Sequence, residues 1–135
     1  TLLRDAIDEL QLNEQIILAG HLSNEEFYAL LHRSDLVISA SLAEGGAYTA
    51  QEAIMYHKKI AFSKIRPATM HLKFMKAKVP TFDPLNLSDM ARTIEWALNT
   101  QQDNSVAYQQ ISKWTWKNLA KRFLEILLWV NLVAT

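Results

Sequence analysis

The sequence predicts an α/β fold in which helices cover both faces of a parallel sheet in the doubly wound manner, with additional helices at its C-terminal end. Short apolar runs alternate with amphipathic stretches in the order strand, helix, strand, helix. Single helices fill the gaps between those runs, and a parallel neighbour requires such a crossover, which is right-handed. From Ser88 onward no strand-like run appears and every periodic segment reads as helix.

The elements follow in order. Thr1 to Leu10 has helical spacing, with Leu3, Ile7 and Leu10 on one side. No start methionine precedes it, so the chain reads as a fragment of a longer protein whose sheet is truncated on its N-terminal side. Acids mixed into this stretch exclude a signal or transit peptide within it. The strand candidates are Ile16 to Ala19, Leu36 to Ser39, Ile60 to Phe62 and Val79 to Phe82. Ser23 and Glu26 form a capping box that opens a helix burying Phe27, Leu30 and Leu31. Ala47 to Tyr56 reads as a helix entered directly from Gly45 and Gly46, and Pro67 suits the first turn of a helix reaching about Phe74. Further helices span Ser88 to Asn99 and Ser105 to Ser112, and a long one starts near Trp116 after a Thr115 cap.

That last helix carries an apolar stripe of Trp116, Leu119, Ala120, Phe123, Leu127 and Val130, broadened by Leu128, Trp129, Leu132 and Val133. Core packing is the first reading of the stripe. The run from Ile126 to Ala134 is too short to span a bilayer. Peripheral contact with a membrane surface, with Lys117, Lys121 and Arg122 on the polar side, is the secondary reading.

At 135 residues the chain reads as a single domain over 1–135, large enough to bury roughly two thirds of its unfolded surface without a staple. It has no cysteine, which excludes thiol catalysis, thiolate zinc sites and disulfides. Its net charge is zero, so the chain as a whole lacks the footprint of a nucleic-acid binder. The zero conceals an asymmetry: Thr1 to Ile54 holds two basic against nine acidic residues, and Met55 to Arg122 twelve basic against four acidic. Lys58, Lys59, Lys64, Arg66, Lys73, Lys76 and Lys78 follow one another with no acid between. They read first as a solvated rim and second as an anion site.

In such sheets ligands sit outside the carboxyl ends of the strands. The loop Ala40 to Gly46 leaves the Leu36–Ser39 strand and enters a helix carrying Glu52. Gly45 and Gly46 let the backbone approach a ligand, toward which the first-turn N–H groups of Ala47, Tyr48 and Thr49 would point. A helix N-terminus favours a phosphate by up to about 1 to 2 kcal/mol. Carboxylates accept hydrogen bonds only, so Glu44 and Glu52 suit a hydroxyl-rich ligand such as a ribose or a hexose. On spacing alone, acids that complement a helix dipole explain the pair equally well. The dinucleotide fingerprint and the P-loop are both absent.

Ser41-Leu42-Ala43-Glu44-Gly45-Gly46-Ala47-Tyr48-Thr49-Ala50-Gln51-Glu52-Ala53 resembles the Glu-x7-Glu segment of the retaining family 4 glycosyltransferases with the GT-B fold. Leu12 to Ser23 resembles that family's strand ending in glycine, and Phe27 to Ala40 its helix and Ser-Asp-Leu-Val-Ile strand. Ile60 to Leu72, Phe82-Asp83-Pro84 and Thr115-Trp116 resemble later segments in the same order. Gly46 and Ala47 replace the family's common Phe-Gly, and Tyr56-His57-Lys58-Lys59 replaces a small residue, Gly and Pro.

The resemblance implies a Rossmann-like C-terminal half of a GT-B hexosyltransferase that binds a nucleotide-diphosphate sugar. It implies that Glu44 contacts the donor sugar and is the residue nearest the chemistry. Gly45, Gly46, Ala47, Tyr48 and Thr49 would hold sugar and diphosphate, Glu52 the ribose, and His21 would lie near the nucleotide. His32, His57 and His71 read as surface or core residues, since no histidine has metal-ligand spacing. No cofactor or metal is expected beyond the donor substrate. The basic Arg and Lys pair that holds the diphosphate in the family, and the N-terminal acceptor domain, lie upstream of this sequence, so the fragment is expected to be inactive alone. A cytoplasmic setting with no nucleic-acid partner goes with that reading. The alternatives are a GT-B sugar-nucleotide epimerase-like domain and a non-catalytic, flavodoxin-like interaction domain.

Overall fold

The computed structural model describes residues 2–133. In chain order the elements are α1 (Leu2–Glu9), α2 (Asn24–Arg33), β1 (Leu36–Ser39), α3 (Tyr48–Met55), β2 (Lys59–Ser63), α4 (Arg66–Met75), β3 (Thr81–Phe82), α5 (Leu87–Asn99), α6 (Ser105–Ile111) and α7 (Trp116–Val133). The chain divides into two compact units, Thr1–Leu30 and Leu31–Thr135.

In the first unit α1 buries Ile7, while Leu3 and Leu10 of the expected stripe are exposed. The strand expected over Ile16 to Ala19 does not form. Residues 16–20 have no regular structure, and Ile16, Ile17 and Leu18 are exposed. An apolar run becomes a strand only when its N–H and C=O groups find a ladder partner, and here the Ile16 N–H folds back onto the Leu12 carbonyl at 2.9 Å.

The capping box at α2 forms as expected. The backbone N–H and hydroxyl of Ser23 both donate to Glu26 Oε2 at 2.8 Å, and the Glu26 N–H returns a bond to Ser23 Oγ at 3.3 Å. These bonds hold the Glu26 carboxyl below its ordinary range, the backbone N–H of Ser23 contributing most. Leu31 is buried, but Phe27 is half-buried and Leu30 exposed, a narrower apolar face than the sequence suggested.

The second unit is built on a parallel sheet in the order β1-β2-β3, with Val37 level with Ile60 and Phe62 level with Thr81. Alternation along the central strand β2 sends side chains to opposite faces. Ile60 and Phe62 enter a core with α3, α4 and α6, where Ala50, Ala53, Ala68, Leu72, Met75 and Ala107 are buried. Ala61 faces the other way and packs with Phe82 and with Ala97 of α5. Helices therefore cover both faces. Phe62 and Ile60 are fully buried, and truncating such a phenylalanine costs about 3 to 5 kcal/mol.

The third strand is shorter than Val79 to Phe82. Along the side of β2 that faces β3, the N–H of Phe62 donates to the Pro80 carbonyl and that of Lys64 to the Phe82 carbonyl. At Ile60 the Gln102 side chain takes over: its Oε1 accepts from the Ile60 N–H and its Nε2 donates to the Ile60 carbonyl, both at 3.0 Å. A side-chain amide presents the donor and acceptor of a peptide, so it substitutes for one rung of the ladder.

Pro67 sits in the first turn of α4, as expected, and α4 ends at Lys76 in the left-handed region, φ 58°. Asn86 caps α5 by accepting from the Asp89 N–H at 3.0 Å. Asp89 accepts from the Asp83 N–H and pairs with Arg92 at 2.6 Å, and these contacts lower its carboxyl pKa, the Asp83 bond most. The N–H of Asn118 donates to Thr115 Oγ1 at 3.1 Å, the cap expected for α7. The core role expected for α7 is not found. Trp116, Leu119, Phe123, Leu127, Leu128 and Trp129 are all exposed, because periodicity shows where a helix is apolar and not whether anything lies against it. Val130, Leu132, Val133 and Ala134 of that stretch lie outside the described side chains. Among the described residues no helix is long and apolar enough to cross a membrane.

Candidate functional site

β1 ends at Ser39, and residues 40–47 carry the chain from its carboxyl end into α3. Ser39 is buried, and its hydroxyl donates to Glu44 Oε1 at 2.8 Å. A serine has one proton to give, so the 3.5 Å contact between the Ser39 and Ser41 hydroxyls is a bond in which Ser41 donates. The Ser63 hydroxyl donates to the Ser39 carbonyl at 3.0 Å, tying the ends of β1 and β2 together. Glu44 is thus anchored to the sheet edge through one buried serine.

The helix side of the loop is held from α4. The Ala47 N–H donates to His71 Nδ1 at 2.9 Å, so this ring nitrogen serves as the acceptor for the start of α3. Tyr48 meets the His71 ring edge-on at 5.2 Å, and Trp114 stacks on both His71 and Phe74. A Cβ on Gly46 would lie 2.8 Å from His71 Nδ1 and 3.3 Å from the Tyr48 ring, whereas one on Gly45 would meet nothing within 4 Å. Of the two glycines only Gly46 is required by close packing.

The first turn of α3 has no side-chain cap, since Ala47 at the cap position has no acceptor to offer. Of the N–H groups expected to face a ligand, that of Ala47 is engaged by His71. Tyr48 is exposed and Thr49 half-buried. Glu52 is half-buried one turn further along α3, beside the buried Ala53. The fold therefore gathers Glu44, Gly45, Gly46, Ala47, Tyr48, Thr49 and Glu52 on one loop and the helix it enters. His21 belongs to the first unit, where it is exposed at a bend after Gly20, and the strand expected to end there is absent.

Sequence reasoning did not single out Ser39, and it read His71 as an unspecialised histidine. Their roles depend on contacts 5 and 24 residues apart. The signal for Ser39 was present in its position as the last strand residue before the loop.

A concavity of about 560 Å³ lies at the amino ends of the strands, where Asp35, Lys58, Gln102 and Asp103 contribute to its wall. Size does not outweigh position. Helix N-termini and strand carboxyl ends, which recognise ligands in this architecture, are at the other edge. Among the described residues no group of three or more His, Asp or Glu could hold a metal ion.

Compared with known protein families, the chain matches the family model described as glycosyl transferases group 1 over residues 1–114. No curated protein and no solved structure matches the chain. A match over 114 of 135 residues, spanning the sheet and the loop between β1 and α3, places this chain in the group 1 glycosyl transferases, a family whose reaction joins a sugar donor to an acceptor.

Proposed function

We propose that the chain is the donor-binding half of a retaining, Leloir-type glycosyltransferase with GT-B architecture, and that the loop between β1 and α3 receives a nucleotide-diphosphate sugar. The observation that carries this is Glu44, fixed by Ser39 at a strand's carboxyl end, next to an α3 first turn without a side-chain cap. Glu44 accepts hydrogen bonds from hydroxyls of the donor sugar. Glu52 accepts from the ribose. The N–H groups of Gly46, Tyr48 and Thr49 receive the diphosphate, in a loop that His71 ties to α4 through the Ala47 N–H.

The physical chemistry favours this arrangement. As the bond from sugar to diphosphate breaks, negative charge grows on the departing phosphate oxygens, and N–H dipoles already aimed there stabilise it without reorganising. The roles need no metal. The acceptor site lies on a half outside this chain.

Calorimetric titration with UDP, GDP, ADP and their sugar conjugates tests the reading. One nucleotide should bind, and Glu52→Ala should weaken it by about tenfold or more, the loss of a hydrogen bond to a charged group. Glu44→Ala should weaken the sugar conjugate and leave the bare nucleoside diphosphate unchanged. Absence of binding by the full-length protein to every member of the panel would sink the proposal.

A further inference from the structure

The fold disposes of the seven cations between Lys58 and Lys78 in three ways. The ammonium groups of Lys58 and Lys59 donate to the carbonyls of His32 and Leu98, in the last turns of α2 and α5, where positive charge complements the helix dipole. Lys76 and Lys78 are exposed beyond the end of α4. The other three, Lys64, Arg66 and Lys73, line one cavity of about 490 Å³ that runs along α4 beside β3, from the carboxyl end of β2 to Ala77 and Val79.

Two elements bring them together. Arg66, Thr69 and Lys73 fall at i, i+3 and i+7 on α4 and so share a face. Lys64 approaches from the end of β2, its backbone pinned by the bond to the Phe82 carbonyl at 2.7 Å. Leu72, Ala77 and Val79 make the cavity's apolar floor, which strengthens a charge interaction above it. The Thr69 hydroxyl is already donating to the Arg66 carbonyl at 3.0 Å, so the free donors are the three cationic heads and Thr81.

No acid in the cavity wall neutralises them. The carboxylate that feels Lys64 is Asp89, and both its oxygens are engaged, Oδ1 by Arg92 and Oδ2 by the Asp83 N–H. Three like charges around one concavity repel each other unless an anion sits among them. A carboxylate offers one charge and two oxygens, too few for three cations. A phosphate group offers more oxygens and more charge, and its geometry matches the arginine fork.

We infer that the Lys64, Arg66 and Lys73 cavity is an anion site for a phosphate-bearing ligand, a diphosphate or a phosphomonoester. The site does not depend on the roles proposed for Glu44 and Glu52. Its phosphate could be carried by a nucleotide or by a sugar phosphate.

Titration of the protein with inorganic pyrophosphate tests it, alongside Lys64→Gln, Arg66→Gln, Lys73→Gln and Lys78→Gln. All four positions are exposed, and circular dichroism checks that each variant folds. Pyrophosphate should bind, and each cavity variant should raise Kd about three- to tenfold, whereas Lys78→Gln should change it by less than about twofold. Pyrophosphate held instead by the N–H groups at the start of α3 would be insensitive to all three cavity variants, an outcome that would also overturn the inference and that separates this site from the donor loop. Absence of binding, or equal weakening by all four glutamine variants as a diffuse lysine rim requires, would overturn the inference. Two further arms identify the source: a nucleoside diphosphate, or a sugar phosphate without a base, should displace pyrophosphate, with an affinity that Arg66→Gln lowers. If neither displaces it, the site is not one for a phosphate-bearing metabolite and the inference fails.

Discussion

Ala47 and His71 are 24 residues apart in the chain, and a single hydrogen bond of 2.9 Å joins the backbone N–H of the first to Nδ1 of the second. Through it α4 controls the entrance to α3. The buried Ala47 N–H has no other acceptor in the loop, so the imidazole acts as a cap supplied from a neighbouring helix.

Replacing His71 by phenylalanine keeps a ring against Tyr48 and Trp114 but removes the acceptor. A buried N–H left unpaired costs about 1 to 3 kcal/mol. Urea denaturation should show that loss of stability in His71→Phe, and hydrogen exchange should show faster exchange of the Ala47 amide. An unchanged Ala47 amide would mean that the cap is not used in solution.

The two glycines of the loop should respond differently. Gly46→Ala drives a methyl group into His71 and Tyr48 and should destabilise by about 1 to 3 kcal/mol, the usual range for overpacking. Gly45→Ala meets no neighbour and should stay within about 0.5 kcal/mol of the parent. Thermal melts of the pair decide it, and equal losses would contradict the packing described.

Ser39→Ala should release Glu44 from the strand end while the Ser63 bond to the backbone carbonyl at position 39 survives. Stability should fall by about 1 kcal/mol for the lost hydrogen bond. If Glu44 has the role proposed, affinity for the sugar nucleotide should fall several-fold, and affinity for the bare nucleoside diphosphate should hold.

The capping box at α2 predicts an acid-sensitive helix start. The folded Glu26 carboxyl has its pKa lowered by the Ser23 bonds, so its stabilisation is present above the unfolded value of about 4.3 and is lost as pH falls through the folded value. Amide protection factors at the start of α2, with the intrinsic pH dependence of exchange divided out, should therefore fall on acidification below about pH 4. In Glu26→Ala they should be low at both neutral and acid pH.

Lys76 closes α4 in a left-handed conformation that suits glycine better than lysine. Lys76→Gly should raise stability by up to about 1 kcal/mol, read as a higher urea midpoint. A lower midpoint would show that the lysine side chain contributes more than the backbone conformation costs.

Much of the fold was legible because it is decided locally. The strand of Leu36 to Ser39, the box at Ser23 and Glu26, Pro67 in the first turn of α4 and the Thr115 cap depend on residues a few positions apart. The candidate loop was legible for the same reason, since Glu44, the glycines and Glu52 lie within one strand-to-helix connection. What failed was whatever needed a distant partner. Ile16 to Ala19 is apolar enough for a strand but has no ladder partner, and Val79 lost its rung to Gln102. The described side chains of α7's core-like stripe are exposed. Tertiary contacts alone gave His71 its acceptor role and gathered Lys64, Arg66 and Lys73 around one cavity out of an apparently uniform run of lysines. Sequence spacing records which residues can share a face of an element, whereas hydrogen bonds and charge clusters form between faces, and only the packing of α4 against the sheet brought those together.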